Sequence, residues 1–402
     1  MSGWSNLKAA QDKKLSTEEI PSIPSLRLVR TLSAPNEIST FGMFQSGTSS
    51  LTWSPDGKRL AAYIRNGTAI MIWSPDGKVQ YEFSRYGYDG GIITSTVLQF
   101  LSGHKQLIAG QAAETSNLVD RKKIKDIAFS ILDSQTGKVL RHIPGPHPGE
   151  EFNRNYAEQL VISSDERFAA VRYNNIDKIN LNIDIFSVGD WQRIKTIEFQ
   201  GDPHPSLVPV RDMAFSPDNK FLAVLQGSRG RIWIYETETW RLLRTFDTYP
   251  DPFHGPYQVV SPKALWFSPD STLIAVGSNG GSWWVNSHGM PTARGVGTLK
   301  EEYPSEPLRI FQAINGLRVA SLGGFPSGGK DGLIWPEPGN YILFIDGMHE
   351  IRFWYPFRPG KSVPVASMGK HSRYLVVSPD RSQIAVNFPN GVKIFEFTSH
   401  IK

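Results

Sequence analysis

Leu51-Thr52-Trp53-Ser54-Pro55-Asp56-Gly57-Lys58-Arg59-Leu60-Ala61-Ala62-Tyr63-Ile64 is two short apolar runs joined by a tight turn. Each turn residue has its own task. Proline presets the backbone angle at the second position, serine and aspartate hydrogen-bond the local backbone, and glycine tolerates the left-handed conformation at the end. Apolar and β-branched runs bounded by turn residues are strand signals, so the stretch reads as a hairpin. The phrase returns as Ser216-Pro217-Asp218-Asn219, Ser268-Pro269-Asp270-Ser271 and Ser378-Pro379-Asp380-Arg381, with a worn copy at Ser163-Ser164-Asp165-Glu166. Each copy leads into an alanine-containing run (Ala61, Ala62, Ala169, Ala170, Ala223, Ala275, Ala385), as expected of crowded inner strands. A unit that recurs at this spacing defines a repeat architecture.

A second hairpin follows the first. Ala69–Trp73 leads through Pro75-Asp76-Gly77 to Val79–Phe83, Arg231–Tyr235 leads to Arg241–Phe246, and Leu308–Phe311 leads through Asn315-Gly316 to Leu317–Leu322. Four antiparallel strands make one blade of a β-propeller. First-hairpin turns centre near Asp56, Gly103, Asp165, Asp218, Asp270, Pro338 and Asp380. The units at Gly103 and Pro338 lack the phrase but keep the strand pattern. The expected fold is therefore all-β, a seven-bladed β-propeller of four-stranded antiparallel blades. The last unit runs out after its third strand, Val392–Phe397. Leu26-Arg27-Leu28-Val29-Arg30-Thr31-Leu32 matches the internal fourth strand Trp240-Arg241-Leu242-Leu243-Arg244-Thr245-Phe246. Residues 25–33 are thus expected to complete the C-terminal blade, which closes the ring and removes a sheet edge. Residues 1–24 form a polar segment outside a single domain of residues 25–402.

The hairpin phrase resembles that of WD-repeat and related bacterial-type propellers, over roughly residues 25–402. The tryptophan of the family's signature stands at Trp73 and Trp354, with Leu132, Phe186, Tyr235, Phe311 and Phe395 in its place elsewhere. The aspartate after it survives only as Asp133. The resemblance implies the ring, while these departures imply that the family's polar tetrad does not hold most blades. Apolar packing, at about 25 cal/mol per Å² buried, has to carry more of the stability.

The chain has 402 residues, 40% of them hydrophobic and 20% charged, with net charge +5 and no cysteine. Disulfides, thiol nucleophiles and thiolate metal sites are excluded. No apolar run reaches membrane-spanning length. The polar first twenty residues lack a secretory pattern, so a cytoplasmic setting is expected. The small net charge argues against a general nucleic-acid binder, and a monomeric ring is expected. Arg121-Lys122-Lys123 forms a local basic cluster between the second and third strands of blade two. It reads either as a solvated loop or as a contact for an acidic partner.

In a propeller, the connections between blades and those between second and third strands share one face. Here that face carries the long segments: Arg85 to Thr94, Gly145 to Asn155, Asp247 to Ser261 and an insertion near Ser278 to Pro307. They hold Phe253, Tyr257, Trp283 and Trp284, the kind of aromatics that make binding hot spots. Adjacent residues in a strand point to opposite sides, so one of Trp283 and Trp284 is expected in a core. In the alternative register, Ser282–Asn286 is itself the third strand of blade five. Pro146-His147-Pro148, Pro203-His204-Pro205 and Phe253-His254-Gly255-Pro256 pair histidine with proline in three successive inter-blade loops. Three imidazoles converging at the channel mouth would make a zinc site; the plainer reading is structural remnants of the family's loop histidine. Gly324–Lys330 spells part of a phosphate-binding loop, but Asp331 replaces the magnesium ligand and a strand follows instead of a helix.

The expected function is a non-catalytic interaction scaffold that needs no cofactor. It would bind a protein or peptide through Arg121, Lys122, Lys123, Phe253, Tyr257, Trp283 and Trp284. The alternative is a propeller enzyme, or a metal- or ligand-binding protein, with its site at the channel mouth and His147, His204 and His254 as the metal candidates.

Overall fold

In the computed structural model the described residues are 25–33, 49–64, 69–74, 76–84, 97–101, 105–110, 127–146, 157–173, 182–198, 210–226, 230–248, 261–279, 281–285, 291–292, 298–302, 308–322, 332–336, 339–346, 350–358, 362–368, 374–388 and 391–398. They form seven four-stranded antiparallel sheets and one three-stranded sheet. Blade one is Ser49–Trp53, Leu60–Ile64, Ala69–Trp73 and Val79–Ser84; blade two is Leu98–Leu101, Gln106–Ala109, Ile127–Asp133 and Val139–Pro144. Blade three is Ala157–Ile162, Phe168–Tyr173, Ile183–Ser187 and Arg193–Ile197; blade four is Val210–Phe215, Phe221–Gln226, Arg231–Glu236 and Leu242–Asp247. Blade five is Ser261–Phe267, Leu273–Asn279, Leu308–Gln312 and Arg318–Leu322; blade six is Leu333–Ile334, Ile342–Ile345, Glu350–Trp354 and Val363–Ser367. Blade seven takes three strands from the C-terminal end (Leu375–Val377, Gln383–Phe388, Gly391–Phe397) and its fourth, Leu26–Ser33, from the N-terminal end. The closing strand pairs Leu28 with Phe395 and Arg30 with Ile394.

The recurring phrase proves to be a turn built by one serine and one aspartate. Ser54, Ser163, Ser216, Ser268 and Ser378 are buried. Each hydroxyl donates to the aspartate two residues on at 2.5–2.6 Å. It accepts the backbone N–H five residues on at 2.8–3.0 Å. The aspartate in turn accepts the N–H two residues further at 3.0–3.2 Å. The fourth turn position has positive φ in every blade: Gly57, Lys105, Glu166, Asn219, Ser271, Gly339 and Arg381. Blades two and six therefore keep the positive φ at this position without the phrase. Asn219 and Ser271 also accept the N–H of Asp165 and Asp218 in the preceding blade, at 3.2 and 3.0 Å, tying turn to turn.

The carboxylates of Asp56, Asp218, Asp270 and Asp380 lie below their ordinary range. Ser54 and Ser378 are the main cause for Asp56 and Asp380. In Asp218 and Asp270 burial pulls upward and is outweighed by the hydrogen bonds from Ser216 and Ser268 and the groups beside them. Asp76, in a second-hairpin turn, is lowered to about 2, chiefly by Ser74 and then Lys78. A folded-state value below the unfolded one gives stability that is complete above about pH 4 and is lost as pH falls through the lowered values. The urea midpoint is expected to hold from about pH 7 to 5 and to drop from about pH 4 to 2. An Asp56→Asn/Asp380→Asn variant should show a shallower drop; an equal one would remove these turns from the account.

The seven alanines sit in the second strands of blades one, three, four, five and seven, which are inner strands of those blades. All seven are fully buried. Ala61, Ala170, Ala223, Ala275 and Ala385 each face an isoleucine of the third strand (Ile72, Ile185, Ile234, Ile310, Ile394). The tryptophan-like positions Trp73, Leu132, Phe186, Tyr235, Phe311, Trp354 and Phe395 are buried too. The Trp73 indole nitrogen has no hydrogen-bond partner among the described residues, in keeping with the lost polar tetrad. The hydrophobic core is divided into seven clusters, one in each seam between neighbouring blades. Each seam buries the face of one blade against the next, so removing one blade would expose two faces.

The insertion in blade five differs from a plain loop. Gly281–Val285 pairs with Thr298–Glu302 and Pro291–Thr292 in a three-stranded sheet of its own. The alternative register, with Ser282–Asn286 as a blade strand, is therefore excluded: Leu308–Gln312 pairs with Leu273–Asn279 in that place.

Candidate functional site

The first strand of every blade lies nearest the ring axis and ends in the first-hairpin turn, so the turns share one face. The opposite face receives the connections between blades and those between second and third strands. Ala109 and Ile127, which flank Arg121, Lys122 and Lys123, stand at that opposite end, as do Thr248 and Ser261, which flank Phe253 and Tyr257. Those five residues, and His147, His204 and His254, lie outside the described residues. So does the stretch Gly324–Lys330. Trp283 and Trp284 are placed by their backbone in the middle strand of the accessory sheet, opposite Lys300 and Leu299. Among the described residues no three His, Asp or Glu side chains are grouped to hold a metal.

Two features at the axis were not singled out from the sequence. The first is a charge cluster at the long-connection end of blades three and four. Glu158 and Arg211 occupy the same place in their blades, each at a register shift that adds a residue to the first strand. Such a bulge re-aims the side chain it carries. Glu158 accepts from Arg172, at the end of the second strand of blade three, at 2.7 Å. The Arg211 guanidinium is held below its ordinary value first by burial and then by the charge of Arg172, with Glu158 acting the other way. Glu158 is thus paired with Arg172 and acts on Arg211 through its charge alone. Nε of both arginines is buried without a hydrogen-bond partner among the described residues. The sequence signal was the repeat itself: aligning the copies superposes Glu158-Gln159 on Arg211-Asp212.

The second feature is the residue after each bulge. Asp212 is buried (1% exposed) and bridges three blades. One carboxylate oxygen accepts from Gln159 Nε2 of blade three and from the Met213 N–H at 2.8 Å. The other accepts from the Leu265 N–H of blade five at 2.8 Å. Below this bridge, a cavity of 710 Å³ follows the axis, lined by the first strands and turns of blades two to seven.

The fold is shared with a solved chain titled "Crystal Structure of Mitotic Checkpoint Complex". The two match with a TM-score of 0.61 at 15% identity, over 96% of each chain. At that identity the likeness establishes the propeller fold alone. No model of a protein family matches the chain, and no curated protein matches it.

Proposed function

We propose that this propeller is a non-catalytic scaffold that docks a protein or peptide partner on its long-connection face, and that an acidic segment of the partner meets Arg172 and Arg211. The observation behind this reading is that two guanidiniums, Arg172 paired with Glu158 and Arg211 under the charge of both, stand at the axis end of that face. Opposed potentials across an interface steer encounter and fix register. The face also receives the connections that carry Arg121, Lys122, Lys123, Phe253 and Tyr257, a basic and aromatic set suited to anchoring. The turn face, by contrast, is made of short, self-satisfied hairpins that leave little to grip.

Affinity capture from the native cell extract tests it. The wild-type ring is expected to recover a stoichiometric partner. Arg211→Glu should lower that recovery about tenfold or more, while Lys220→Glu on the turn face leaves it unchanged. Unchanged recovery with Arg211→Glu, in a variant that melts like the wild type, would remove this surface from the interface.

A further inference from the structure

One polar atom in the wall of the axial cavity is held in place and left without a partner. Gln159 lines the cavity and is 5% exposed. Its Nε2 donates to the Asp212 carboxylate and, at 3.3 Å, to the Met213 carbonyl. Both of those groups accept, so the amide cannot turn over, and its other end is the oxygen. That oxygen, Oε1, is buried with no donor to meet it among the described residues. A buried acceptor left unmet is costly, and a group that donates to it recovers that cost.

The rest of the lining defines the kind of molecule that could bring the donor. The volume of 710 Å³ falls within the roughly 300–1,000 Å³ of small-molecule sites. Leu160, Met213, Phe215, Trp266, Phe267 and Trp335 make a wall that favours apolar and above all aromatic groups. No Asp or Glu stands among the described lining residues, so an ammonium finds no counter-charge in the wall. Arg381, the one charged residue there, is already engaged with other groups. An ion of either sign would therefore lose water without gaining a free counter-charge. The second amide of the lining, Gln99 of blade two, is neutral as well. We propose that the axial cavity binds a neutral aromatic molecule through one N–H or O–H group donated to Gln159 Oε1. The proposal makes no use of Arg172 or Arg211, so it stands independently of the partner surface proposed above.

The test is calorimetric titration of the full chain with indole, benzothiophene and indole-3-acetate. Indole and benzothiophene share a shape, but only indole has an N–H. Indole is expected to bind one per chain, about fivefold tighter than benzothiophene, which is the gain from one neutral hydrogen bond. That order runs against simple partitioning, because benzothiophene is the more apolar of the two. Indole-3-acetate, charged at neutral pH, should bind about tenfold more weakly than indole. In Gln159→Leu the preference for indole over benzothiophene should vanish. Benzothiophene binding the wild-type chain as tightly as indole would mean that no ligand donor reaches Gln159 Oε1, and would overturn the proposal. So would the absence of saturable indole binding, or tighter binding of indole-3-acetate than of indole. Gln159→Leu also removes a hydrogen bond to Asp212, so the wild-type comparison decides without reliance on it.

Discussion

Leu32→Ala is expected to destabilise the ring by about 2–5 kcal/mol, the range for truncating a buried leucine. Leu28→Ala, four residues earlier in the same strand, should stay within about 0.5 kcal/mol. Leu32 is 2% exposed and Leu28 is 48% exposed. The closing strand is otherwise mostly exposed along Leu26–Ser33, so Leu32 is its one fully buried anchor, beside half-buried Leu26 at the seam of blades six and seven. Leu32 packs in the seam of blades seven and one with Leu51, Leu60, Met71, Trp73, Val392 and Ile394. Backbone pairing, Leu26 and surface groups hold the rest. The Arg27–Glu396 ion pair, 2.7 Å long, is largely exposed and adds at most about 1 kcal/mol. Urea unfolding of the two variants measures the contrast. Similar losses for both would mean that the strand is held along its length rather than at Leu32. Removal of residues 1–33 should go further, leaving Gly391–Phe397 as an open edge and producing aggregates on expression.

How far the ring was legible in the sequence depends on the range of the interactions involved. The serine–aspartate turn is made by groups within five residues of each other, so each copy spells its own structure. Closure was legible because Leu26–Leu32 repeats the fourth strand of blade four, and a repeat position is a spatial position. Even blades two and six, with no phrase, were found by strand pattern, and Lys105 and Gly339 show the backbone doing there what Gly57 does in blade one. The accessory sheet was less legible: Thr298-Leu299-Lys300-Glu301-Glu302 lacks the apolar alternation of a half-buried strand. The cluster of Glu158, Arg172 and Arg211 was harder to read for another reason, since only alignment of the repeat copies hints at it. Each is a lone charge in its own stretch, and only bulged strands in neighbouring blades bring the three together.

Asp212 is the second position where a large loss is expected. Replacing it with alanine leaves three buried donors, the Gln159 amide and the N–H groups of Met213 and Leu265, without this acceptor. At about 1–3 kcal/mol for each orphaned group, the expected cost is about 3 kcal/mol or more. Asparagine is the sharper probe, because it keeps the shape but has one acceptor oxygen and one N–H₂ group. Whichever way the amide turns, the N–H₂ group faces a backbone N–H or the Gln159 amide. Asp212→Asn is therefore expected to lose at least half of what Asp212→Ala loses, and a near-neutral result would show that shape rather than charge matters there. A double-mutant cycle with Gln159→Leu should give a coupling of about 0.5–3 kcal/mol, since the two side chains share one hydrogen bond. Gln159, Met213 and Leu265 also line the axial cavity. The carboxylate that joins blades three, four and five thereby fixes the spacing of the cavity wall.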